Sequence, residues 1–182
     1  MSGGAYPVDR VLDPVAIVDW AIDTGLYDIA YSAWGWPLAE IVHFSGLCLL
    51  AGSVLLFDLR ALGLLRPIPL ASLHRLVLLG VLGFALNLAS GTLFVASAPD
   101  QYLYNPAFQV KLALMALAGA NMLAFYALTK GGRRLTDAAG IVRTRVRACA
   151  LLSLVCWTGV IAAGRVITAF RPPGWFWCAW CG

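Results

Sequence analysis

The stretch Trp36–Leu62, WPLAEIVHFSGLCLLAGSVLLFDLRAL, constrains this chain more than any other. An α-helix rises about 1.5 Å per residue, so the segment can cross a hydrocarbon core of about 30 Å. Pro37 suits a first helical turn, where its missing N–H costs nothing. Glu40 and His43 then sit inside the outer third of a membrane helix, and Asp58 and Arg60 follow only after a long run of apolar and small residues. Three further stretches of this kind give expected spans at about 36–62, 73–97, 106–128 and 148–170.

Composition agrees with that reading. Of 182 residues, 61% are hydrophobic and 12% charged, where a soluble domain carries about 25% charged residues. The expected fold is all-α: a polytopic membrane protein with four antiparallel transmembrane helices plus an N-terminal interfacial helix. Residues 1–35 form the N-terminal segment, 36–171 the transmembrane domain and 172–182 an aromatic, cysteine-rich tail. No stretch is left for a soluble catalytic domain.

The net charge of +4 is unevenly placed. Arg60, Arg66 and Arg75 flank the first link, and Lys130, Arg133, Arg134, Arg143, Arg145 and Arg147 crowd another. Ser97–Pro106 carries Asp100 and no Lys or Arg, and the N-terminal tract has five Asp against one Arg. By the positive-inside rule the basic links face the cytoplasm and both termini face the periplasm of a bacterial inner membrane. Charge that flanks spans sets orientation; no nucleic-acid partner is expected. Residues 1–12 contain Asp9 and lack a basic start with a continuous apolar run, so the first span is expected to act as its own uncleaved signal.

Along the chain, Asp13-Pro14 reads as an N-cap followed by proline at the first helical position. Val15, Val18, Ile22 and Leu26 fall near one face, with Asp19 and Asp23 elsewhere and a stop near Gly25. Two readings stand: a surface helix with Trp34 and Trp36 as belt residues, or a segment that is ordered only against a partner. In the second span Gly80, Gly83, Asn87, Ser90 and Gly91 form a stripe on which another helix can pack closely. Asn105-Pro106 opens the third span, and Thr136–Arg147 is expected to be helical ahead of the fourth.

Comparing depths brings the ionisable residues together. Counted from each span's midpoint, His43, Lys111 and Arg165 all fall roughly 9–10 Å toward the outer side. Glu40 lies a turn further out, Ser90 and Thr92 share the level, and Asn87 is slightly deeper. Charged groups at such depth normally face the bundle interior with a partner. A polar pocket of Glu40, His43, Asn87, Ser90, Lys111 and Arg165 is the expectation; snorkelling of Lys111 and Arg165 to the headgroups is the alternative. The ligand classes considered are a quinone, a lipid or haem b. The two histidines, His43 and His74, lie about 25 Å apart in depth and cannot share one iron. His43 with Met115 is the nearer haem pair.

Cys48, Cys149 and Cys156 read as small core residues. Cys178-Ala-Trp-Cys181 is a C-x-x-C expected on the outer side, where a disulfide persists. With no His after it, it is not a c-type haem attachment site, and two thiols do not complete a zinc shell, so no metal site is expected. The sequence holds no phosphate loop, H-E-x-x-H or nucleophile elbow, and no catalytic residue is assigned.

At HFSGLCLLAGSVLLFDLRALGL (His43–Leu64) and NPAFQVKLALM (Asn105–Met115) the chain resembles a family of small bacterial four-helix membrane proteins of unknown function. The likeness rests on His43, the Asp58-Leu59-Arg60 exit and Asn105, Phe108 and Lys111, and covers most of residues 36–130. More distantly it resembles copper-resistance and b-type cytochrome membrane domains, with fewer histidines than their haem pairs need. The resemblance implies topology and no reaction. The functional expectation is a non-catalytic subunit of a larger membrane assembly connected with electron transfer. The alternatives are a thiol–quinone oxidoreductase using Cys178 and Cys181, and a small-molecule or ion conduit.

Overall fold

The structure, a computed structural model, describes residues 13–69, 72–73, 75–132, 134–136 and 141–170. His74, Arg133 and the Cys178–Cys181 tail lie outside the described residues. Among the described residues the helices are, in order, α1 (Pro14–Asp23), α2 (Leu26–Tyr31), α3 (Gly35–Leu62), α4 (Val77–Ser97), α5 (Pro99–Leu103), α6 (Pro106–Leu128) and α7 (Thr144–Val166), which runs on as a 3-10 turn to Ala169. The described residues contain no strand, only an isolated bridge between Thr136 and Val142.

Helices α3, α4, α6 and α7 are long and apolar enough to cross a membrane. Only 17–22% of each apolar window is buried inside the protein, so most of these hydrophobic side chains face outward. In water that surface would be a liability; in a bilayer it is the solvated face. The chain is a multi-pass membrane protein.

The spans pair as α3 with α4 and α6 with α7, and α3 also packs on α7. Helices α4 and α6 make no comparable contact, so the bundle has an open seam between them. The glycine stripe explains the tightest pairing. A Cβ on Gly83 would come 2.5 Å from the Gly46 carbonyl oxygen and 2.6 Å from the Leu50 nitrogen, so the α3 and α4 backbones nearly touch. Between α6 and α7, the Asn121 amide donates to the Cys149 carbonyl at 2.9 Å.

One end of the bundle is acidic and helix-capped. Asp13 caps α1 by accepting from the Val15 N–H at 2.9 Å. Gly25 (φ +74°) turns the chain into α2, so the single expected surface helix is two. The inward residues there are Ala21 and Ala30, both fully buried, whereas Val15 and Ile22 point away from the protein. Asn105, fully buried, caps α6 through Oδ1 and donates from Nδ2 to the Ile167 carbonyl at 2.9 Å, tying α6 to the end of α7.

The opposite end is basic. Ala61, Phe125, Leu135, Val142, Val146 and Ala150 form a buried cluster that closes it. Of the expected Thr136–Arg147 helix, the described residues are helical only from Thr144: Leu135 and Val142 tuck under the bundle around the Thr136–Val142 bridge, and Arg143 is extended (ψ 141°) before α7 begins. Burying two apolar side chains of the link outweighs its helical propensity. Helix α7 therefore starts four residues before the expected span, and α4 starts four after.

Candidate functional site

Two cavities lie along the bundle axis. The one toward the acidic end has a volume of about 440 Å³, the one toward the basic end about 270 Å³. Leu50, Phe84, Met115 and Trp157, one residue from each spanning helix, line both and form a shared floor. Within it Phe84 and Trp157 meet edge-on, with ring centroids 6.5 Å apart.

The larger cavity gathers His43 from α3, Asn87 from α4 and Lys111 from α6 in mainly apolar walls. Ile17 and Trp20 of α1 line its mouth, so the surface helix is a roof over this site. Trp20 carried no signal in the sequence beyond its lying on an amphipathic helix.

His43 is held from behind. Its Nδ1 lies 2.9 Å from the Ser90 hydroxyl, and that hydroxyl sits 2.7 Å from the Leu86 carbonyl. A serine has one proton to give. Directed at Leu86, it leaves the Ser90 oxygen to accept from Nδ1–H, and Nε2 is then the imidazole's remaining bonding position. The ring also rests beside Gly91, where a Cβ would come 3.8 Å from Cε1, and 5.7 Å from the Phe94 ring. Trp36 stacks on Phe94 at 4.8 Å and Tyr31 on Trp36 at 6.3 Å, an aromatic chain from α2 down to the imidazole.

Lys111 reaches toward α7, where Gly164 leaves it room: a Cβ there would lie 3.7 Å from Nζ. The Asn87 amide donates to its own helix at the Gly83 carbonyl, 3.0 Å, beside the α3–α4 contact. Asn87 thus both lines the cavity and sits in the packed seam.

Two expected members do not join. Glu40 is exposed and accepts from the Trp36 indole N–H at 3.1 Å. Arg165 is exposed as well, because α7 turns Cys156, Val160 and Gly164 inward and position 165 lies about 100° round from 164. Trp36, expected in the belt, is half-buried against Phe94, while Trp34 is 72% exposed. Met115 and His43 do line one cavity, Met115 in the floor.

Outside the spans, desolvation, then Tyr27 and then Asp100, push the Tyr31 phenol above its ordinary value. It stays a neutral donor to the Ser97 carbonyl at 3.4 Å, fastening α2 to the end of α4.

The smaller cavity holds the residue that depth counting missed. Asp58 is 3% exposed and lines this space with Ser53, Asn121 and Ser153. It was legible as the continuation of an inward stripe, Gly46, Leu50, Ser53, Asp58 and Ala61, all buried. Among the described residues no three of His, Cys, Asp and Glu come together as a metal site.

No protein-family model, curated protein or solved structure matches the chain. The resemblance at His43–Leu64 and Asn105–Met115 therefore rests on those residues alone.

Proposed function

We propose that this protein is a non-catalytic subunit of a bacterial inner-membrane electron-transfer assembly, and that its larger cavity holds a quinone. The observation that carries the quinone is the convergence of His43, Asn87 and Lys111 in one apolar space of about 440 Å³. Pockets for small molecules typically span about 300–1,000 Å³ and combine apolar walls with a few placed polar groups. A quinone head offers carbonyl acceptors to the Lys111 ammonium, and its ring suits Phe108 and Trp157. His43 Nε2 can accept from a quinol hydroxyl or, when protonated, donate to a quinone. The seam between α4 and α6 gives an apolar molecule a lateral way in from the bilayer. Haem is the weaker fit, because His43 and Met115 would serve it while Asn87 and Lys111 would have no part.

In this reading the basic end faces the cytoplasm, and α1 and α2 lie at the periplasmic surface. The exposed Trp20, Ile22, Ile29 and Trp34 supply an apolar rim there for membrane interface and neighbouring subunits. Gentle purification from native membranes, with absorption spectra and mass spectrometry of all that co-elutes, tests both halves. Recovery with quinone and with subunits bearing redox groups is expected. A solitary protein would overturn the assembly, and absence of quinone would overturn the ligand.

The stacked cavities favour a second reading, a small-molecule conduit in which the four floor residues part. Flux of an organic anion into liposomes carrying the purified protein would support it.

A further inference from the structure

We infer that the smaller cavity is a separate site for a small organic cation, an alkyl- or arylammonium, with Asp58 as its counter-ion. The argument starts from an unsatisfied atom. Asp58 is 3% exposed, and its Oδ2 has no hydrogen-bond partner. Ser153 bonds the same carboxyl group. Two other nearby donors are directed at backbone: Ser53 at the Leu50 carbonyl, 3.0 Å, and Asn121 at the Cys149 carbonyl, 2.9 Å. A buried carboxylate is retained where something pairs with it. Among the described residues no cation does, since no Lys, Arg or His lines this cavity.

The walls say what kind of cation fits. Phe57, Phe84, Phe125, Tyr126 and Trp157 surround the space, with Phe57 and Phe125 edge-on at 5.6 Å. Aromatic faces attract cations that carry apolar substituents and little hydration. A divalent ion instead needs six or more oxygen ligands with enough negative charge to match its own, and this site offers a single carboxylate beside three hydroxyls and an amide in mainly apolar walls. At about 270 Å³ the space equals about nine waters of liquid volume, enough for a head group the size of benzyltrimethylammonium. The seam between α4 and α6 borders this cavity as well, so the cation can arrive from the bilayer. The site is independent of the quinone proposal, because the shared floor divides it from His43 and Lys111.

The test is equilibrium dialysis of radiolabelled benzyltrimethylammonium against the full chain in detergent, with competition by its neutral carbon isostere, neopentylbenzene, and by sodium ions. Saturable binding is expected, with the isostere competing about tenfold more weakly than unlabelled cation. Asp58→Asn, which keeps shape and removes charge, should weaken binding by about the same factor. Equal competition by the isostere would overturn the inference, since the cavity would be recognising apolar bulk alone. Displacement by millimolar sodium, or unchanged binding in Asp58→Asn, would overturn it too. If that variant fails to fold, the competition on the unaltered protein still decides.

Discussion

The two cavities are built from the same four helices and carry opposite charge. Toward the acidic end, His43 and Lys111 make a basic site under the roof of α1; toward the basic end, Asp58 makes an acidic one walled by aromatic side chains. The support differs as much as the sign. His43 is oriented by Ser90, and Lys111 extends over Gly164, whereas Asp58 keeps an oxygen without a partner. A charge with its own supporting contacts can wait for a ligand at low cost. A charge without them is incomplete until the ligand arrives, which makes Asp58 the more strained of the two arrangements.

Breaking the α3–α4 contact that holds residues of both cavities should have the largest effect. Gly83→Val drives a side chain into the Gly46 and Leu50 backbone, and should lower stability by about 3 kcal/mol in a denaturing-detergent titration. Both binding activities should fall with it; loss of only one would show that the α3–α4 contact does not set the two sites together. Asn105→Ala removes the α6 cap and the tie to Ile167, and should cost about 1–2 kcal/mol by the same titration. Asp58→Leu works in the other direction, and removing the unpartnered oxygen should raise the stability of the empty protein by about 1 kcal/mol. A loss there would mean that the carboxylate is already satisfied.

Smaller changes separate the sites. Ser90→Ala frees the His43 ring and should weaken quinone binding about fivefold, read by fluorescence quenching, with the cation site unchanged. Tyr31 gives the mildest signal. Its phenol is raised in the folded protein, so the stability it adds is complete below the unfolded value near 10 and is lost as pH climbs through the folded value. Thermal melts should therefore hold up to about pH 10 and fall above it more steeply than in Tyr31→Phe.

Much of this architecture was legible from length and hydropathy. The third span, Pro106–Leu128, falls where Asn105-Pro106 predicts, because an Asx cap and a proline at the first turn are local devices. The glycine stripe on α4 likewise turns out to be a packing surface. The site was half legible. Counting depth puts His43, Ser90 and Lys111 at one level with Asn87 slightly deeper, and these four lie together, but depth says nothing of azimuth, and Glu40 and Arg165 are exposed outside the cavity. Asp58 was passed over for the converse reason: lying one turn before the end of α3, it reads as part of a polar exit, and only its place on the inward stripe betrays it. The α1 roof and the burial of Leu135 and Val142 depend on contacts between distant segments, which no local pattern encodes.

The proposed quinone site, enclosed by His43, Asn87 and Lys111 and roofed by α1, is tested most directly by photo-crosslinking. An azido-quinone would be irradiated with the protein in native membranes and the labelled peptides mapped by mass spectrometry. The account predicts label on α1 around Ile17–Trp20 and on the walls beside His43 and Lys111, suppressed by excess unlabelled quinone. Label scattered over the lipid-facing residues, and indifferent to that excess, would contradict it.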